Sequence, residues 1–285
     1  MQVLTRASEV PSRRAASPTT GSASRWTSAP TLGAIVLALA GCGSAPPAPP
    51  ATSAAARPGG GTVETSASAS ANDEAASACA GWLAAQQRGE GRLYRVDAAA
   101  SQVRIHVFRA GRLAKAGHNH VLGVERLEGQ VFVPAQGIAG AGLELGFRLA
   151  DLAIDKPEWR AALGPEFASV PSASDIAGTR ANLLRTVDGE RFPAITMRST
   201  AVAGAFPVLA VKLAVRWHGQ SREFDVPVRV ARPAGEAALR AQGALVLRQS
   251  DFGIAPLSIL GGLLAVQDEL TVEVDVAARP ADTCG

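Results

Sequence analysis

Apolar and polar residues alternate through seven segments of this chain, and this period of two constrains the fold more than any other feature. The alternation is clearest in residues 103–107, 143–149, 211–217, 224–230 and 270–276. Residues 127–133, and the pair Leu245 and Leu247, continue it more weakly. Because successive side chains of a strand point to opposite faces, such segments predict strands with one buried face. Seven or eight of them favour an antiparallel sandwich or barrel.

Two regions break the alternation and predict short helices. The first, Asp73 to Gln87, is rich in alanine and begins with acidic residues, which suit a helix N-terminus. The second is an insertion between strands, in which Pro157 is placed to begin a helix. Further on, Ser172 and Asp175 resemble a capping box before a helix over residues 176–187. We expect this helical insertion to lie over one end of a barrel.

The first 41 residues have the order of a secretory signal peptide. Four arginines and one glutamate precede a short apolar stretch, Leu32 to Ala40, which is too short to span a bilayer as a helix. The run Leu39-Ala40-Gly41-Cys42 resembles the lipobox of bacterial lipoproteins. That resemblance implies cleavage before Cys42 and attachment of a lipid to its thiol. The alternative is an ordinary cleaved signal with an incidental cysteine.

The composition of residues 42–73 predicts a lipid-anchored tether, followed by a folded domain over residues 74–285. The tether is rich in Pro, Ala, Ser and Gly and has almost no large apolar side chain, so it cannot bury enough surface to fold. It would hold the domain on a membrane of the cell envelope, facing the periplasm. Because Gly43 stands where an acidic residue is linked with inner-membrane retention, we expect the outer membrane.

Removal of the predicted signal peptide leaves a chain without net charge. The whole chain has 28 Lys and Arg against 25 Asp and Glu, and residues 1–41 hold four Arg and one Glu. The mature chain would therefore carry 24 basic and 24 acidic side chains. Because nucleic-acid binding depends on neutralising phosphates, this balance argues against a nucleic-acid partner.

The chain contains three cysteines. If Cys42 carries a lipid, Cys79 and Cys284 remain as an even pair in an oxidising compartment. They lie at the two ends of the folded domain, and the termini of a domain are often close together. We therefore predict a disulfide between Cys79 and Cys284 that holds the N-terminal helix against the last strand.

The densest polar cluster is Gly117-His118-Asn119-His120-Val121. Histidines at i and i+2 of a strand share a face, which suits a metal ion, but a full site would need His106 or His218 as further ligands. The preferred interpretation is a structural or polar-contact role without a metal. Ser250-Asp251-Phe252-Gly253 likewise favours a turn over a catalytic base. The sequence also lacks a Gly-x-Ser-x-Gly nucleophile motif, so we predict neither a catalytic residue nor a metal site.

Several motifs between Tyr94 and Ala278 occur in the order and spacing of a known family. They are Tyr94-Arg95-Val96-Asp97, Gly117-His118-Asn119-His120-Val121, Phe192-Pro193 before a strand, Trp217-His218-Gly219 and Arg248-Gln249-Ser250-Asp251-Phe252-Gly253-Ile254. In this region the chain resembles the YceI-like polyisoprenoid-binding proteins. It departs from the family pattern between Trp159 and Ala177.

The resemblance implies an all-β fold, an extended antiparallel, lipocalin-like barrel whose lumen holds an isoprenoid quinone or a polyprenyl chain. A barrel of about eight strands can hold one slim ligand. The residues expected to face the lumen are Val103, Ile105, Val107, Leu145, Phe147, Leu213, Val215, Val226, Val228, Leu245, Leu247, Val272 and Val274. Those expected near one mouth, facing a head group, are His118, Asn119, His120, Asp251 and Phe252. The same aliphatic side chains would also suit a packed core, and the alternation does not separate the two arrangements.

The leading interpretation is a membrane-tethered protein that binds an isoprenoid lipid for transport or storage, needs no other cofactor and catalyses no reaction. Two alternatives stay open. A packed β domain would serve as an interaction module for a protein partner of the envelope. Less favoured is a metal-dependent enzyme that uses His118 and His120.

Overall fold

The computed structural model describes residues 77–231 and 238–284. The strands in these ranges are β1 Gly91–Val96, β2 Gln102–Ala110, β3 His120–Val124, β4 Glu128–Pro134, β5 Gly142–Arg148, β6 Leu152–Ile154, β7 Ala194–Ala205, β8 Val208–Trp217, β9 Gln220–Ala231, β10 Leu239–Arg248, β11 Ser258–Ile259 and β12 Leu264–Pro280. The α-helices are α1 over residues 77–87, α2 Pro157–Ala162 and α3 Ala173–Thr186. The predicted signal peptide, Cys42 and the tether lie outside the described residues.

Eight strands close into a barrel, which confirms the predicted all-β, lipocalin-like fold. Their order is β1-β4-β5-β7-β8-β9-β10-β12, and β12 pairs again with β1. β12 is 17 residues long and has room for two partners along one edge. Its C-terminal end pairs with β1, and its earlier part pairs with β2, from which β3 and β6 extend the sheet.

The strands that the sequence predicted are present, and the structure adds shorter ones. Residues 103–107 lie in β2, 143–149 begin in β5, and 270–276 lie in β12. β6 and β11 are three and two residues long, so they are too short to display a period. The two-residue turn between β8 and β9 consists of His218 and Gly219, both with positive φ, as tight hairpins between twisted strands favour.

The helical insertion covers one end of the barrel, as predicted. The Ser172 side chain accepts a hydrogen bond from the Asp175 amide, and the Asp175 carboxylate accepts one from the Ser172 amide, which fixes the start of α3. Arg180 donates to the carbonyl oxygens of Ala150 and Leu152, at 3.2 and 2.6 Å. The covered end is therefore the one at which β5 ends and β7 begins. None of the helices in the described ranges is long and apolar enough to cross a membrane.

The predicted disulfide is present between Cys79 in α1 and Cys284 beyond β12, with Cα atoms 6.0 Å apart. Gln86 strengthens the same junction. Its side-chain amide donates to the carbonyl oxygen of Ala281 at 3.0 Å, and its side-chain oxygen accepts from the Leu93 amide at 2.6 Å. The bridge and Gln86 therefore hold α1 against β1 and the end of β12, on the outside of the barrel.

Candidate functional site

The barrel encloses an apolar cavity of about 270 Å³. Every residue expected to face the lumen, from Val103 on β2 to Val274 on β12, lines this cavity. The strand register explains how they assemble: Ile105 lies opposite Val272, which in turn lies opposite Leu245. Side chains of directly opposed residues point to the same face of a sheet, so such triplets form aliphatic rows across neighbouring strands. The lumen is therefore partly open and not filled by its own side chains.

The cavity has one polar end. Its lining is aliphatic or aromatic apart from a few residues, and the polar side chains that line it are His120, Thr179, Asn182, Thr186 and Gln249. Three of these belong to α3, while the other two lie at the start of β3 and directly after β10. All of these elements meet at the barrel end that α3 covers. Among the lining residues in the described part of the chain, none is Lys, Arg, Asp or Glu.

The side chain of His120 contacts a buried ion pair formed by Asp155 and Arg160. His120 Nδ1 lies 2.6 Å from Oδ2 of Asp155, and the other carboxylate oxygen accepts hydrogen bonds from Arg160 Nη1 at 2.7 Å and the Val121 amide at 2.9 Å. Asp155 and Arg160 are both buried. Arg160 also donates to the carbonyl oxygens of Asn119 and Ser169. The network thus ties α2 and the segment after it to β3.

The Asp155 carboxyl remains ionised in this setting. Burial alone would raise its pKa, because burial disfavours the charged form. The hydrogen bonds from His120, the Val121 amide and Arg160, together with the charge of His120, outweigh burial and hold the pKa below its ordinary value. Asp155 has a φ of 53°, a backbone conformation that Asp tolerates better than most residues. The chain therefore turns at Asp155 so that its carboxylate faces β3.

Of the five residues expected at the mouth, the structure places His120 alone in the lining of the cavity. His118 is exposed and its Nδ1 lies 3.2 Å from the Ser169 hydroxyl. Asn119 is buried, accepts a hydrogen bond from the Arg109 amide at 3.0 Å and donates one to the carbonyl oxygen of Glu166 at 3.2 Å. The roles of His118 and Asn119 in this structure are therefore to hold the neighbouring loop.

Phe252, which the sequence placed near the mouth, does not line the cavity. Residues 250–252 form a 3₁₀ turn that directs Phe252 into the core, where it is fully buried. The centroid of its ring lies 5.4 Å from the ring centroid of Trp217 and 6.2 Å from that of Phe224. Asp251, its neighbour in the same turn, is exposed to solvent and does not line the cavity.

The histidines are each engaged with a different partner. The ring centroids of His118 and His120 are 6.3 Å apart. His106 Nε2 lies 3.2 Å from Oε2 of Glu273. His218 Nδ1 lies 3.0 Å from the carbonyl oxygen of Phe252. Within residues 77–231 and 238–284, no three His, Cys, Asp or Glu side chains are grouped so that they could hold a metal ion. The geometry gives no support to a metal site on His118 and His120.

Most of the described chain matches a known protein family. Residues 94–278 match the profile of the YceI-like domain. This is the region in which the spaced motifs of the sequence occur, and it includes the whole barrel from β1 to β12 except the ends of those two strands. No curated protein matches the chain significantly.

The chain is similar to solved structures from three bacteria. BcnA of Burkholderia cenocepacia is 18% identical with a TM-score of 0.46, and the match covers 64% of this chain and 98% of BcnA. A polyisoprenoid-binding domain from Saccharophagus degradans is 12% identical with a TM-score of 0.45, covering 66% of this chain and 98% of that domain. The YCEI protein of Campylobacter jejuni is 11% identical with a TM-score of 0.38, covering 57% and 85%.

Proposed function

This chain belongs to the YceI-like family, and from that premise we propose that its barrel binds an isoprenoid lipid, a quinone or a polyprenyl chain, in the lumen. The observation that carries the proposal is the cavity of about 270 Å³, aliphatic along most of its lining and polar at one end. A polyisoprenoid has the same distribution, a methyl-branched hydrocarbon chain with one polar head group. Burial of the chain contributes about 25 cal/mol for each Å² removed from water.

The polar end favours an uncharged head group. The described lining residues offer amide, hydroxyl and imidazole groups but no lysine or arginine. His120 Nδ1 is already bonded to Asp155, which leaves Nε2 for a ligand. A diphosphate would need cationic partners to offset its desolvation. A quinone carbonyl needs hydrogen-bond donors only, and the side-chain amides of Asn182 and Gln249 carry such groups.

We also propose that the barrel is tethered to a membrane and serves in transport or storage of its ligand. The support is the run Leu39-Ala40-Gly41-Cys42, followed by the Pro- and Ala-rich residues 42–73. A lipid on Cys42 would place the barrel at the periplasmic face of the outer membrane. We assign no catalytic step, because the polar groups of the cavity surround no recognisable nucleophile.

The test is the lipid content of the protein. The full chain is purified from membranes, extracted with organic solvent and analysed by mass spectrometry. The stripped protein is then loaded in detergent with a prenylquinone or with a polyprenyl diphosphate. We expect a co-purifying prenyl lipid and stoichiometric retention of the quinone. If no prenyl lipid co-purifies and neither compound binds, the proposal is wrong and an envelope interaction module becomes the better interpretation.

A further inference from the structure

Two neighbouring segments at the polar end of the barrel form what we call the tip, residues 111–116 and 258–263. The first segment follows β2 and the second precedes β12. The last residue of β2, Ala110, lies opposite Ala265 of β12. The Leu113 amide donates to the carbonyl oxygen of Leu263 at 2.8 Å. Gly111 permits this approach, since a Cβ there would lie 2.5 Å from the same carbonyl oxygen. The two turns are therefore one surface.

The tip exposes large aliphatic side chains. Leu113, Ile259 and Leu260 have 46, 48 and 65% of their surface exposed. Arg112 and Lys115 are exposed beside them, and neither segment of the tip contains an acidic residue. Glu166 of the insertion is paired at 3.1 Å with Arg109, which lies two residues before the tip. Exposed aliphatic groups with adjacent cations are typical of surfaces that bind membranes.

The tip also adjoins the cavity. The Val266 amide donates to the carbonyl oxygen of Leu257 at 2.9 Å, and both residues line the lumen. Leu257 directly precedes the segment 258–263, and Val266 is the third residue after it. A surface that contacts the tip would therefore lie next to the polar end of the cavity.

We propose that the tip docks on an anionic lipid surface. Leu113, Ile259 and Leu260 enter the interfacial region, and Arg112 and Lys115 bind lipid phosphates. The charge decides between a membrane and a second copy of this chain, because two tips with only positive charges would repel each other. The proposal goes beyond lumen binding and does not depend on the ligand or on a lipid at Cys42.

The test uses vesicles of phosphatidylcholine with 30% phosphatidylglycerol and the full chain carrying Cys42→Ser, which removes any acyl anchor. Hydrogen exchange is measured with and without vesicles. We expect vesicles to protect amides of residues 111–116 and 258–263, but not those of the hairpin between β7 and β8. No ligand is added, so failure here is distinguishable from failure of isoprenoid binding.

Co-sedimentation with the same vesicles compares matched variants. We expect Leu113→Ser with Leu260→Ser to weaken the binding on the order of tenfold, and Arg112→Ser with Lys115→Ser to weaken it about fivefold for each cation. The control is Val208→Ser with Val246→Ser, because these residues are 51 and 56% exposed but lie outside the tip. The control should bind as the parent does.

Three results would overturn the proposal. The first is an unprotected tip in the parent chain, a reading that does not depend on whether any variant folds. The second is equal loss of binding in the tip and control variants. The third is protection of the tip that rises with protein concentration in the absence of vesicles, which would show that a second copy covers it.

Discussion

His120 Nδ1 lies 2.6 Å from Oδ2 of Asp155, so a residue that lines the cavity is bonded directly to a fully buried carboxylate. The same carboxylate pairs with Arg160 of α2 at 2.7 Å. His120 begins β3, and Arg160 belongs to the insertion that covers the barrel end. One ion pair therefore positions the polar end of the lumen and anchors the insertion to the barrel.

Asp155→Asn should lower the free energy of unfolding by about 3 kcal/mol, because the change leaves the Arg160 guanidinium buried without a counter-charge. Urea denaturation at neutral pH measures the loss. The control is Asp225→Asn, which breaks an exposed pair with Lys212 at 2.9 Å and should change stability by about 0.5 kcal/mol or less. Equal stability of the two variants would show that the buried pair does not anchor the insertion.

The same carboxylate makes stability depend on pH in a defined direction. The pKa of Asp155 is lower in the folded protein than its ordinary value, so the unfolded chain takes up its proton first as the pH falls. The stabilisation is complete above the unfolded pKa of about 4 and is lost as the pH falls through the folded pKa. We expect the stability difference between the parent and Asp155→Asn to shrink as the pH falls below about 4. A difference that grows on acidification would contradict this assignment.

The disulfide spans 205 residues of sequence and should stabilise the barrel by restricting the unfolded chain. Replacing both Cys79 and Cys284 with serine should lower the free energy of unfolding by about 2–4 kcal/mol. Thermal unfolding of the parent with and without a thiol reductant should show the same loss. The double variant is the control, since its melting temperature should not respond to the reductant.

The lumen could be predicted from the sequence because a strand leaves only two faces to choose between. Once Val103, Ile105 and Val107 are placed on one strand, they share a face whatever the tertiary structure. A packed core and an open lumen need the same aliphatic residues, so the unfilled volume between Ile105, Val272 and Leu245 emerges only from the closed barrel.

The contacts of Asp155 with His120 and Arg160 at the polar end could not be predicted, because they join residues that are distant in sequence or follow no pattern. Asp155 lies 35 residues from His120, and buried charges follow no period. The need for glycine at residue 123 is likewise visible only in three dimensions. A Cβ there would lie 2.3 Å from the Trp159 ring, because α2 packs on β3 at this point. The turn at residues 250–253 was predicted, but the inward direction of Phe252 follows from its 3₁₀ geometry.

Lipid attachment at Cys42 stays a prediction, since that residue lies outside the described part of the chain. We expect intact mass analysis of the mature protein to show an N-terminal Cys42 with attached acyl chains. Cys42→Ser should leave the precursor unprocessed or release the protein from membranes, because stable anchoring needs more than one chain. Cys79→Ser is the control, since it removes a different cysteine and should leave processing unchanged. An unmodified Cys42, or cleavage elsewhere, would rule the anchor out.

Narrowing the lumen should abolish lipid binding while the barrel still folds. Leu213→Trp and Val107→Trp place an indole among the aliphatic side chains that line the cavity, and we expect each to reduce the extracted prenyl lipid at least fivefold. Overpacking should destabilise these variants by about 1–3 kcal/mol, which circular dichroism and urea denaturation would detect. Val246→Trp is the matched control, because Val246 lies between Leu245 and Leu247 on β10 but points outward. If the folded lumen variants carry as much prenyl lipid as Val246→Trp, the ligand lies elsewhere on the protein.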